Sequence, residues 1–113
     1  MSVIGKYVLE DSDARFVFAF PIQEVVKYYE NFLLEHEFYV FFTVELTNGL
    51  SFAVNDDYEY SKKAGKYVRT LTIAVEREKE RVEKKVIRGH KELNVMLRSI
   101  NGARYLVFEV IRA

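Results

Sequence analysis

Residues 77–100 constrain the fold more than any other part of the sequence, because two regularly spaced stripes run through them. Their apolar residues follow one another at alternating steps of four and three. This spacing places side chains on one face of an α-helix. The apolar stripe consists of Val82, Val86, Gly89, Leu93, Met96 and Ile100. The pattern therefore predicts one long helix that packs against the rest of the domain.

Gly89 lies on this apolar stripe. A glycine inside a helix costs about 1 kcal/mol relative to alanine, so its position indicates the close approach of another element. The alternative is that the helix breaks at Gly89 and residues 81–88 form a strand. The acid-before-base pair of Glu80 and Lys84, together with the good helix formers of residues 76–85, favours the helix.

A basic stripe has the same rhythm and would share one helix face about 100° from the apolar one. It consists of Arg77, Arg81, Lys84, Arg88 and Lys91. In one interpretation it is a solvated flank whose charges pair with nearby glutamates. In the other it is a surface that binds phosphates or an acidic protein.

The remaining segments alternate between strand and helix patterns. Strands are predicted at residues 3–10 and 14–20, a helix at 21–37, and a hairpin at 38–46 and 50–55. A three-residue hairpin loop with Gly49 in the left-handed conformation is favoured, because it places the apolar residues of both strands on one face. A short helix within residues 55–65, a strand at 66–75 and a last strand at 103–111 complete the chain.

This order, β-β-α-β-β-β-α-β, predicts an α+β two-layer sandwich. We expect a ferredoxin-like variant, with a mainly antiparallel sheet and two long helices on one face. The 113 residues fit a single domain over 1–113. Such a fold does not by itself imply a function.

Composition excludes several classes of protein. The chain has no cysteine, which excludes disulfides, thiolate metal sites and cysteine nucleophiles. No apolar run approaches the roughly 20 residues of a membrane span, and no signal peptide is visible, so a cytoplasmic location is expected. A charged fraction of 30% without cysteine is typical of thermophile proteins.

The charges are unevenly distributed along the chain, although they sum to zero. Residues 1–57 contain three basic and ten acidic residues, a net charge of −7. Residues 58–113 contain fourteen basic and seven acidic residues, a net charge of +7. This asymmetry indicates either a basic working surface in the second half or two halves that attract each other.

A second candidate binding segment interleaves aromatic and basic residues, a combination that binds single-stranded nucleic acid by stacking and charge. It consists of Tyr58, Tyr60, Lys62, Lys63, Lys66 and Arg69, with Tyr67 among them. The alternative is an ordinary exposed loop followed by a strand.

No catalytic constellation is evident. The sequence lacks a nucleophile elbow, a glycine-rich phosphate loop and metal-ligand spacing. We therefore predict no catalytic residues, no metal site and no cofactor. Aspartates 56 and 57 lie where turns and caps favour aspartate, and histidines 36 and 90 are far apart in sequence.

Three functions are compatible with these observations. The first is a small non-enzymatic interaction module, a homodimer, that binds a nucleic acid or an acidic protein through the basic helix face and the tyrosine–lysine segment. The second is a protein–protein adaptor or inhibitor that acts through an open sheet face or an edge strand. The third and least favoured is a small metal-dependent enzyme that uses Asp56, Asp57 and His90. The homodimer is expected because so many aromatic side chains cannot all face one core.

Overall fold

The computed structural model describes residues 2–32 and 40–113, with the backbone only for Phe32, and these residues are almost entirely β-strand. The described residues form nine strands. They are β1 (Val8–Asp11), β2 (Arg15–Pro21), β3 (Val25–Phe32), β4 (Val40–Leu46), β5 (Leu50–Ser61), β6 (Lys66–Arg77), β7 (Glu80–Arg88), β8 (Glu92–Ile100) and β9 (Ala103–Ile111). The only helical segments described are two 3-10 helices, Ile4–Tyr7 and Ile22–Glu24.

The strands form two antiparallel sheets. Sheet A has the spatial order β1-β2-β9-β8, and sheet B has the order β3-β4-β5-β6-β7. The apolar faces of the sheets pack against each other in one core. The prediction of an α+β, ferredoxin-like sandwich with two long helices is therefore wrong, because the second layer is another sheet.

Aromatic rings fill the centre of the core. Phe18 on β2 stacks on Phe108 on β9 with ring centroids 4.9 Å apart. Phe20 meets Phe52 of the opposite sheet edge-on at 4.8 Å. These four side chains have no exposed surface, and burial of side chains this large is the main favourable contribution that holds the sheets together.

The predicted helix at 77–100 is instead the end of β6, β7 and β8. The four–three spacing arises by coincidence, because the apolar residues of this segment face different ways. Leu93 packs against the main core, Met96 packs on the outer face of sheet A, and Val82 is half exposed. The prediction that the basic residues of this segment share one helix face is therefore also wrong.

Gly89 lies at the bend that directly follows β7. Its φ of +81° lies in the left-handed region, and an added Cβ would meet no atom within 4 Å. The glycine is needed for backbone conformation and not for close packing. The alternative prediction, a strand at residues 81–88, is confirmed by β7.

The predicted helix at 21–37 is also wrong over its described part. After the 3-10 helix Ile22–Glu24, residues Val25–Phe32 form β3 and pair with β4. This segment is rich in β-branched and aromatic residues, which favour a strand once a neighbouring strand is available. Residues 33–37 of that prediction, which include His36, and the first residues of the predicted strand at 38–46 lie outside the described residues.

The hairpin of β4 and β5 confirms the predicted three-residue loop. Val44 pairs with Phe52 and Phe42 with Val54, and Gly49 has a φ of +87°. The final strand is confirmed at Ala103–Ile111. The short helix predicted within residues 55–65 is wrong, because β5 continues to Ser61.

The two long sides of the sandwich differ. On the β1–β7 side, the Glu83 carboxylate accepts hydrogen bonds from the backbone N–H groups of Val3 and Ile4, both at 2.8 Å, and thereby fastens the first residues to β7. On the β3–β8 side, an open cleft of about 300 Å³ separates the sheets. Only the first side is sealed by described residues.

Two hairpins of the sandwich use two-residue turns with positive φ at both positions. Asn101-Gly102 joins β8 to β9 with φ angles of 50° and 84°. Glu78-Lys79 joins β6 to β7 with φ angles of 52° and 68°. This geometry matches the right-handed twist of the strands but strains residues other than asparagine and glycine.

We expect the double substitution Glu78→Asn with Lys79→Gly to raise the free energy of unfolding by about 1 kcal/mol, because it removes left-handed strain from two ordinary side chains. Urea denaturation followed by circular dichroism measures the change. The reciprocal control, Asn101→Glu with Gly102→Lys, should lower the stability by a similar amount. An unchanged stability in both variants would contradict this account of the turns.

Candidate functional site

The hairpin of β5 and β6 extends beyond the described parts of the strands beside it. The described part of β4 pairs with β5 as far as Asp56, and β7 pairs with β6 from Thr70 onwards. We call residues 57–69, in which β5 and β6 pair with each other as far as their turn, the ribbon. Its turn is closed by a hydrogen bond of 2.8 Å from the Gly65 N–H to the Ser61 carbonyl.

Three tyrosines occupy one face of the ribbon. Tyr60 pairs with Tyr67, and Tyr58 pairs with Arg69, so these side chains point to the same side of the hairpin as Asp56. The exposed fractions of Tyr58, Tyr60 and Tyr67 are 41%, 57% and 67%. The rings of Tyr60 and Tyr67 meet edge-on with centroids 5.4 Å apart. Tyr60 and Tyr67 therefore present aromatic surface that the core does not use.

Three exposed lysines lie at the end of the ribbon: Lys62, Lys63 and Lys66. Residues 57–69 contain four basic and two acidic residues. The positive charge is concentrated at the turn, since both acidic residues lie on β5. The ribbon thus combines exposed aromatic rings with positively charged lysines at its turn.

A buried ionic cluster holds the base of the ribbon. Asp56 and His90 are 2% and 4% exposed. The Asp56 carboxylate accepts hydrogen bonds from Arg69 Nε at 3.1 Å and Arg69 Nη2 at 2.6 Å. His90 Nε2 lies 2.9 Å from Asp56 Oδ1, and Arg69 Nη1 also donates to the Lys91 carbonyl.

This cluster joins both strands of the ribbon to the connection between the sheets. Residues 89–91 cross from β7 in sheet B to β8 in sheet A. The Gly89 N–H donates to the Arg69 carbonyl at 2.7 Å, and the Lys91 N–H donates to the Ile111 carbonyl at 2.8 Å. The residues on either side of His90 are therefore held by backbone hydrogen bonds, Gly89 to β6 and Lys91 to β9.

The ionisation of Asp56 depends on its partners. Burial alone would raise the pKa of the Asp56 carboxyl, but the hydrogen bonds from His90 and Arg69 and the positive charge of Arg69 hold it below its ordinary value. The Asp56 carboxylate in turn raises the pKa of Arg69. Asp56 is therefore ionised in the folded protein, and Arg69 and His90 are arranged around its carboxylate.

The predicted binding residues do not form one surface. Arg81, Lys84 and Arg88 are exposed and pair with β6 residues that face away from the core. The tyrosines and Arg69 lie on the opposite face of sheet B. Arg77 is at the far end of β6, where it donates to the Asn48 carbonyl at 3.3 Å.

The outer face of sheet B is of mixed charge. Lys84 lines a polar groove of about 280 Å³ together with Asp57 and Glu59. Glu45 and Glu76 share this face with Arg81, as their register shows. Nearby carboxylates therefore offset the three bases of β7, and the register places Lys66 of the ribbon on this face as well.

Asp56 and His90, named for the least favoured hypothesis, do meet, but Asp57 faces the other way. The side chain of His90 has no exposed surface, so a substrate cannot reach it. Among residues 2–32 and 40–113, no group of three potential ligands could hold a metal ion.

Sequence reasoning missed the cluster of Arg69, Asp56 and His90. Its signal was Asp56 on the buried face that Phe52 and Val54 define, where a carboxylate needs a cationic partner.

Comparison of the chain with protein families, with curated proteins and with solved structures gives no match. Within the described parts of the chain, no helix has the length and apolar character needed to cross a membrane.

We expect Asp56→Asn to lower the free energy of unfolding by about 2 kcal/mol at pH 7, because it leaves the partly buried Arg69 charge without its carboxylate. The folded-state pKa of Asp56 is depressed, so its contribution is complete above the unfolded pKa of about 4 and is lost as the pH falls through the folded value. The stability of the variant should therefore depend less on pH below about 4 than that of the wild type. Urea denaturation between pH 2 and 7 measures both, and parallel pH profiles would contradict the assignment.

Proposed function

We propose that the protein is a non-enzymatic module that binds single-stranded nucleic acid through the ribbon. The observation that carries the proposal is the shared face of Tyr58, Tyr60 and Tyr67 beside a lysine-rich turn. Bases stack on aromatic rings whatever their sequence, and lysines bind the phosphates between them. A cytoplasmic location, where such strands are accessible, belongs to the same proposal.

The exposure of the tyrosines supports this function over a purely structural role. Two rings that are 57% and 67% exposed contribute little to the core. A ring that is already held in place loses little conformational freedom when a base stacks on it. The edge-on contact of Tyr60 with Tyr67 and the cluster of Asp56, Arg69 and His90 supply that restraint.

The proposal assigns different roles to the two predicted basic groups. Lys62, Lys63 and Lys66 lie at the end of the ribbon, next to Tyr60 and Tyr67 along the strands, and bind phosphates. Arg81, Lys84 and Arg88 lie on the opposite face of sheet B, where carboxylates offset them. Arg69 acts as a structural residue, because its guanidinium is committed to Asp56 and the Lys91 carbonyl.

We expect the triple substitution of Lys62, Lys63 and Lys66 to glutamine to weaken binding of a labelled single strand and to flatten the dependence of log affinity on log salt. The slope should change by roughly 0.7 for each phosphate that the variant no longer neutralises. Fluorescence anisotropy with single-stranded DNA, single-stranded RNA and a duplex, from about 50 mM salt upwards, measures the effect.

A charge-matched control is available on the other face. Glutamine at Arg81, Lys84 and Arg88 removes the same number of positive charges and should change affinity little. Alanine at both Tyr60 and Tyr67 should weaken binding without changing the salt slope, because stacking releases no counterions. Equal effects of the two triple substitutions would show that binding is unspecific charge attraction, and no binding by the wild type at about 50 mM salt removes the proposal.

A further inference from the structure

Among the strands that the structure describes, β8 forms an edge of sheet A beside the open cleft. The cleft is lined by Ile22, Val25 and Tyr28 from one side and by Val95, Leu97 and Leu106 from the other. Leu97 is 56% exposed. A free strand edge with an exposed apolar side chain is a site at which another strand can add to the sheet.

The two faces of β8 differ in chemistry. Leu93 and Val95 pack against the core, and Leu97 has the same orientation along the strand. Asn94 bonds to Glu109, and the Arg98 guanidinium contacts the Met96 sulfur at 3.3 Å, both on the outer face. Glu92 and Arg98 belong to this outer face, and they are the two charged residues of β8.

We propose that β8 pairs with β8 of a second copy of this chain, antiparallel and centred on Val95, and that this pairing forms a homodimer. A two-fold axis perpendicular to the sheet keeps each side chain on its own face, so residues pair symmetrically about the centre. Centring on Val95 places Glu92 opposite Arg98 of the second copy. The same register places Leu93 opposite Leu97 of the second copy.

The register is the argument for a second copy over another protein. Among the symmetric pairings, only the one centred on Val95 brings Glu92 opposite Arg98, and the axis forms this ion pair twice. Cross-strand pairs of opposite charge and of apolar side chains both favour antiparallel pairing. The same pairing covers Leu97 and brings the two open clefts to face each other across the axis. Within its own chain, the Glu92 carboxylate also favours the charged form of Arg69.

Charge reversal tests this pairing. Sedimentation equilibrium from about 1 to 500 µM should give the wild type a mass of twice the 13.3 kDa of one chain. Arg98→Glu and Glu92→Arg should each weaken the dimer by about tenfold or more, because each places like charges opposite one another twice. The double variant Glu92→Arg with Arg98→Glu should restore the wild-type affinity to within about threefold.

A matched control uses Arg104 on β9, the strand beside β8. Arg104→Glu makes the same change of charge away from the free edge and should leave the dimer unchanged. If a charge variant fails to fold by circular dichroism, Leu97→Lys supplies the test, because Leu97 is half exposed in the single chain and a lysine there disrupts only the pairing. A monomeric wild type up to 500 µM overturns the proposal. So does a dimer that tolerates both single reversals, or a double variant that does not recover.

Discussion

The charge of Asp56 is the constraint on which the connection between the two sheets depends. A carboxylate on the buried face of β5 is strongly unfavourable unless it is paired. Arg69 and His90 supply that pairing, and His90 belongs to the short connection between β7 and β8. Replacement of the whole cluster by apolar residues could preserve stability, whereas removal of one member leaves a buried charge behind. The cluster therefore holds in place the connection that leads from sheet B to sheet A.

The same cluster links the core to the ribbon. Arg69 lies directly across from Tyr58 on the strand pair that carries the tyrosines. A two-stranded hairpin alone is only marginally stable in water. Here its base is held by ionic hydrogen bonds and its strands continue into the centre of sheet B. A binding surface at the end of such a hairpin inherits its orientation from the core.

Sequence reasoning succeeded where independent signals agreed and failed where strand residues happened to have the spacing of a helix. The hairpin of β4 and β5 was predictable because alternation and Gly49 agreed on one register. Residues 77–100 contain helix formers at spacings that suit a helix, and the turn at Glu78-Lys79 uses residues that are not typical of turns. Asn101-Gly102, by contrast, is a strong hairpin signal, but it directly follows the predicted helix at residues 77–100. The sequence groups Tyr58, Tyr60 and Tyr67 only by their closeness along the chain. Their common face depends on the pairing of Tyr60 with Tyr67, which requires β5 to continue to Ser61.

The position of β9 has a consequence for how the chain folds as it is synthesised. Sheet B is a meander of consecutive strands and can form as soon as residues 25–88 are available. In sheet A, β2 waits for β9, since Arg15 pairs with Ile111 near the other end of the sequence. Until then Phe16, Phe18 and Phe20 have no completed sheet around them. Closing so long a loop late is slow, so this protein exposes its most aromatic strand for longest during biosynthesis. A chaperone that binds exposed aromatic residues of the nascent chain is therefore expected to bind β2.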